Sequence, residues 1–96
     1  MPGLKISILQ QPLVWMDGPA NLRHFDRQLE DITGRDVIAL PEMFTTGFAM
    51  EAAQQSMPQD EVVAWMHAKA QQTNALIAGS AALQTDRGPV NRFLLV

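Results

Sequence analysis

The chain contains no cysteine. None of its residues can therefore supply a disulfide, a thiolate metal ligand or a cysteine nucleophile. It also has no run of like charge: seven basic and ten acidic residues are dispersed, for a formal net charge of −3. Without a basic stripe or polybasic cluster, neither nucleic acid nor an anionic membrane surface is an expected partner. No apolar run approaches the roughly 20 residues that span a bilayer. The N-terminus lacks the charged region, apolar stretch and small-residue cleavage site of a targeting signal, so the expected compartment is the cytoplasm. There is no glycine-rich phosphate loop. His24 and His67 fall on separate helical segments without a ligand partner one turn away, so no metal site is expected.

What the chain does have is apolar content. At 47% hydrophobic over 96 residues, it can build one core, and no more than one domain is expected. Leu4 to Gln10 reads as a strand, closed by the turn residues Pro12 and Asp17-Gly18-Pro19. A helix follows, with Asp17 as a candidate cap, Pro19 in its first turn, and Leu22, Phe25, Leu29 and Ile32 on one face up to Gly34. Asp36 to Leu40 is a second strand, and the loop after it runs through Thr45, Thr46 and Gly47 to Met50. A second helix is expected to start near Ser56 or Asp60. Ser56 and Gln59 match a capping box, Val62, Met66 and Ala70 form its buried stripe with Val63 and Trp65 alongside, and Asn74 is the expected stop. Ala75 to Leu83 is a third strand; Asp86-Arg87-Gly88-Pro89 then turns into a fourth, Asn91 to Val96.

The fold class is α/β with element order βαβαββ. The sheet should begin parallel and end in an antiparallel hairpin. Two helices on one side leave the other face of such a sheet without cover, and Phe93-Leu94-Leu95-Val96 end in mid-strand. The expectation is an incomplete N-terminal portion of a single domain, spanning 1–96, which needs the remainder of its own domain or a partner.

The most informative stretch is Val37 to Phe48, VIALPEMFTTGF. Its apolar run fits a buried strand, Pro41 ends the hydrogen-bond ladder, and Glu42 follows at the strand end. A carboxylate flanked by Met43 and Phe44 in a partly dry recess would be poised as a general base through desolvation; the plainer reading is a strand-end acid pointing into water.

Several segments together resemble the start of the nitrilase, or carbon–nitrogen hydrolase, superfamily. They are the first strand ending in Gln10, Asn21-Leu22 at the opening of the first helix, Leu-Pro-Glu-Met-Phe at 40–44, and Ala78-Gly79-Ser80. Leu-Pro-Glu-Met-Phe-Thr-Thr-Gly-Phe together with Gln10-Gln11-Pro12-Leu13-Val14-Trp15 looks like the bacterial omega-amidase group within it. The resemblance implies the N-terminal part of a four-layer αββα sandwich, with two such sandwiches meeting in a homodimer when full length. It also implies a Glu-Lys-Cys triad of which only the Glu has a counterpart here, at Glu42, the Lys and Cys lying beyond Val96. The complete enzyme would hydrolyse the terminal amide of a small 2-oxo acid such as 2-oxoglutaramate to the acid and ammonia through a cysteine thioester, without a cofactor. The 96-residue chain alone is expected to be inactive. The alternatives are a noncatalytic half-fold acting as an interaction module, or another amidase, carbamoylase or nitrilase of the superfamily.

Other candidates carry weaker signals. Phe44 and Phe48 could line an acyl pocket beside Glu42, although core packing explains them as well. Thr45 and Thr46 could bond a substrate carboxylate, but turn threonines usually satisfy local backbone. Asn91 could bond the Glu42 loop or be an ordinary turn residue. Lys5 and Lys69 read as solvated charges. Ser80 lacks the second glycine of a nucleophile elbow and lies inside a strand. Trp15, Trp65 and the methionines read as core.

Overall fold

The computed structural model describes residues 3–10, 13–14, 17–47 and 56–96. Strand β1 (Ile6–Ile8), helix α1 (Gly18–Leu29) and strand β2 (Val37–Ala39) are followed by a two-residue strand β3 (Met57–Pro58). Helix α2 (Gln59–Thr73) and the hairpin of β4 (Leu76–Thr85) and β5 (Gly88–Leu95) complete the order. The sheet is parallel from β1 through β2 to β4, with Ile6, Val37 and Leu76 in register. β4 and β5 run antiparallel over their length. The α/β class, the parallel start and the closing hairpin agree with the sequence pattern; β3 is an addition to it.

α1 begins where the sequence places it. Asp17 accepts the Ala20 N–H at 3.0 Å, satisfying one of the donors that a helix N-terminus leaves free. Leu22, Phe25 and Leu29 are buried on one face. The helix stops at Leu29 rather than running to Gly34. Its last carbonyl is bonded by Ile32 N–H at 3.3 Å and by the Gln72 side chain at 3.4 Å, so the carbonyl is satisfied without another helical turn.

The start of α2 differs from expectation in its cap. Pro58 is the N-cap and contributes no side-chain bond. The Ser56–Gln59 capping box does not form: the Ser56 hydroxyl donates to Gln84 Oε1 at 3.2 Å, and Gln59 Oε1 accepts from the Arg92 guanidinium. Met57 and Pro58 instead pair with Leu83 and Gln84, a ladder contact that outcompetes the local cap. Asp60 and Glu61 in the first turn still complement the helix dipole. Asn74 ends the helix, as predicted, and does so in the left-handed conformation, its N–H bonded to the Ala70 carbonyl.

Both helices bury their apolar faces on the same side of the sheet. Leu22, Phe25 and Leu29 from α1 and Val62 and Met66 from α2 form one cluster with Ile38, Ile77, Ala81 and Leu83. Phe25 and Phe44 are fully buried within it, edge-on to each other at 6.0 Å, and the partly buried Trp65 packs against both. The opposite face alternates as a strand must, and it is open: Ile6, Ile8, Leu76, Phe93 and Leu95 are between 47% and 73% exposed. The uncovered apolar face read from the element order is therefore present. Among the described residues no helix is long and apolar enough to cross a membrane.

Candidate active site

Glu42 sits where one edge of β4 changes partner. β2 occupies that edge at Leu76–Ala78, and β3 occupies it again at Leu83–Gln84, while β5 holds the other edge from Ala78 to Thr85. Between the two the chain leaves the ladder. Leu40 N–H still reaches the Ala78 carbonyl at 2.7 Å; Pro41 has no N–H to continue with. The turn that follows is tied to Ser80 through the N–H groups of Met43 and Phe44. Met43 N–H bonds Ser80 Oγ at 3.0 Å, and Phe44 N–H bonds the Ser80 carbonyl at 3.0 Å. The Met43 carbonyl then accepts from Thr46 N–H at 3.2 Å and Gly47 N–H at 2.8 Å.

This path requires two left-handed residues, Gly47 at φ +79° and Met43 at φ +53°. The glycine adopts such a φ freely, the methionine under strain. A second clamp comes from α1. Asn21, fully buried, donates from Nδ2 to the Thr45 carbonyl at 2.7 Å and to the Val14 carbonyl at 2.8 Å, and accepts the Val14 N–H at 2.7 Å. The turn carrying the acid is thus held from the sheet on one side and from the first helix on the other.

The result is a cavity of about 500 Å³ on the uncovered side, lined by Leu40, Glu42, Ala78, Gly79, Ser80, Asn91 and Phe93. Glu42 is exposed within it. The desolvation expected from Met43 and Phe44 is not supplied by them. Phe44 turns fully into the helix-side core, and Met43 packs against Ala82; neither side chain lines the cavity. Any drying of Glu42 has to come from whatever covers the open face.

The remaining predicted residues separate clearly. Phe44 and Thr45 are completely buried and do not line the cavity; Phe44 is a core residue. The buried Thr45 hydroxyl has no partner among the described residues. Thr46 is spent locally, its hydroxyl donating to the Gly47 carbonyl at 2.9 Å. Phe48 and Trp15 lie outside the described residues. Asn91 shares the cavity with Glu42 without a hydrogen bond to it among the described residues, and it belongs to β5 opposite Ala82, not to a turn. Lys5 is exposed. Lys69 is not a free solvated charge: it pairs with Asp26 at 2.8 Å. The described residues hold no cluster of three potential metal ligands.

Two residues that organise the site went unread as such in the sequence. Asn21 marked a helix start and Ser80 a strand interior, and nothing in their neighbours signals contact with residues 43–45. Only the β2–β4 register brings Ser80 opposite the segment after Pro41.

A model of the carbon–nitrogen hydrolase family matches residues 5–96. The chain belongs to the carbon–nitrogen hydrolase family. Along its whole length this carbon–nitrogen hydrolase chain is 82% identical to an omega-amidase, YafV, of Escherichia coli and 62% identical to the omega-amidase YafV of Yersinia enterocolitica. It spans 38% of the length of either relative. Its fold matches a crystal structure of a CN-hydrolase superfamily protein from Xanthomonas campestris with a TM-score of 0.92 at 37% identity. That match covers all of this chain and 37% of the other, which is described as carrying an arsenic adduct in its active site.

Proposed function

We propose that these residues are the N-terminal portion of an omega-amidase, in which Glu42 is the general base of a Glu-Lys-Cys triad. The observation that carries this reading is the position of Glu42, on the open side of the sheet in a cavity with one wall missing, in a chain 82% identical to an omega-amidase. The remainder of the domain would cover the exposed apolar face and bring a cysteine and a lysine to the cavity. Glu42 would take the thiol proton as sulfur attacks the amide carbon, and the lysine ammonium would stabilise the oxyanion of the tetrahedral adduct. Collapse of that adduct breaks the C–N bond, and the proton leaves with nitrogen as ammonia. Glu42 would then deprotonate the water that hydrolyses the thioester, returning the cysteine and releasing the acid. The substrate class is a small 2-oxo acid with a terminal amide, 2-oxoglutaramate being the first to assay. The complete enzyme is proposed to be a homodimer.

The test is ammonia release from 2-oxoglutaramate by the complete protein, its Glu42→Gln variant and the 96-residue chain alone. Turnover is expected only from the first. Glu42→Gln should lose at least about 100-fold, the low end for a general acid–base residue. Turnover by the isolated chain, or by Glu42→Gln at the normal rate, would remove this mechanism. A second reading is favoured by the five apolar side chains exposed on the sheet: a short noncatalytic protein that uses this face to bind a partner. An intact-mass measurement of the natural product near 10.6 kDa would support that reading against the amidase.

A further inference from the structure

We infer that Ser80 is the positioning residue for Glu42: its hydroxyl and its carbonyl hold the turn that keeps the carboxylate on the open face. The assignment rests on the amidase reading above and adds a residue that the triad does not contain. Ser80 receives both peptide N–H groups that follow Glu42, one on Oγ and one on its carbonyl, each at 3.0 Å. The two bonds pull in different directions. Ser80 is paired with Phe93 and lies on the open side of the sheet, so its Oγ holds the Met43 N–H on that side. Phe44 meanwhile is drawn to the helix side, between Phe25 and Trp65.

Gly79 makes that second movement possible. A Cβ there would come within 3.0 Å of Phe44 Cδ1 and 3.2 Å of Leu40 Cβ. Met43, between the two pulls, takes φ +53°, a conformation that a non-glycine residue keeps only when its surroundings impose it. With the hydroxyl removed, the Met43 peptide loses its anchor on the open face, and the turn is free to relax toward the side that Phe44 already occupies. Glu42, one residue earlier and itself exposed, would lose its aim while the core stayed intact.

The complete enzyme tests this with Ser80→Thr, Ser80→Val and Ser80→Ala, rates being taken per folded molecule by circular dichroism. Thr and Val have nearly the same shape and differ in the hydroxyl. Ser80→Thr is expected to keep kcat within threefold of wild type. Ser80→Val and Ser80→Ala are expected to lose kcat tenfold or more with KM changed less than twofold, because binding of the amide does not depend on a base that acts during the chemistry. A merely structural hydroxyl would lower the melting temperature and leave kcat per folded molecule alone. That result, or Val and Thr variants of equal kcat, overturns the inference while leaving the amidase reading standing. If the wild-type enzyme does not release ammonia, or Glu42→Gln is fully active, the amidase reading fails and this inference goes with it.

Discussion

Removing the side chain of Asn21 tests whether the turn is held from the helix as firmly as the hydrogen bonds indicate. In Asn21→Ala three bonds disappear, two to Val14 and one to the Thr45 carbonyl. Their losses are unequal. Val14 is exposed, so water can replace Asn21 at its peptide groups, and each of those bonds carries about 0.5–1.5 kcal/mol net. Thr45 is fully buried, and a carbonyl stranded there costs about 1–3 kcal/mol. The total comes to about 4 kcal/mol. In the complete protein, with a urea m value of about 3 kcal/mol/M, the unfolding midpoint should fall by about 1.3 M. Asn21→Asp supplies the control: a carboxylate can still accept the Val14 N–H but offers no donor to either carbonyl, so it should be no milder than alanine. A midpoint shift under about 0.3 M for Asn21→Ala, or an Asp variant as stable as wild type, would refute the reasoning that the clamp depends on the amide donor.

Phe44→Ala should destabilise the complete protein by about 3–5 kcal/mol, the usual result of emptying a buried phenylalanine site; urea unfolding checks it, and a loss below about 1 kcal/mol would mean that Phe44 is not the core residue described. Ile8, 73% exposed on the open face, separates a covered face from a free one. In the complete protein Ile8→Lys is expected to cost about 2 kcal/mol or more through burial of an unpaired charge, whereas a change within about 0.5 kcal/mol would indicate a surface that stays in water. Asp26→Asn should cost less than about 1 kcal/mol in thermal unfolding, because the pair with Lys69 is partly solvated; a larger loss would show that the link between α1 and α2 depends on the charge.

The parts of this fold that were legible in the sequence are those encoded by local periodicity and by residues with one dominant use. Leu22, Phe25 and Leu29 recur at helical spacing, Asp17 caps, Asn74 stops the second helix, and a hairpin turns where expected, although at Asp86 and Arg87 alone, with Gly88 and Pro89 already in β5. Pro41 also reads correctly: it has no N–H with which to continue the ladder after Leu40. What escaped depends on pairing across the sheet. Met57 and Pro58 look like the approach to a helix, and only an unoccupied stretch of the β4 edge makes them a strand. Phe44 looks like a pocket wall beside Glu42 until the Gly79 backbone is seen to admit its ring to the core. Thr45, next to it, is buried as well, its carbonyl held by Asn21 of α1. Glu42 was legible as the candidate acid, but its surroundings were not: Phe44, which suggested a dry site, points into the helix-side core, and the residue before it, Met43, takes a left-handed φ.

The alternation along β4 carries one further consequence. Leu76, Ala78, Ser80 and Ala82 share a phase, and Ile77, Ala81 and Leu83 occupy the other. Gaining or losing a single residue between positions 76 and 80 would invert every later member of that strand, exchanging a hydroxyl for a core position and a core methyl for a hydroxyl. Substitutions can be graded along this segment, but its length cannot. The placement of the acid is therefore written partly as a count of residues on a neighbouring strand, and variants of changed length there should be far rarer than variants of changed composition.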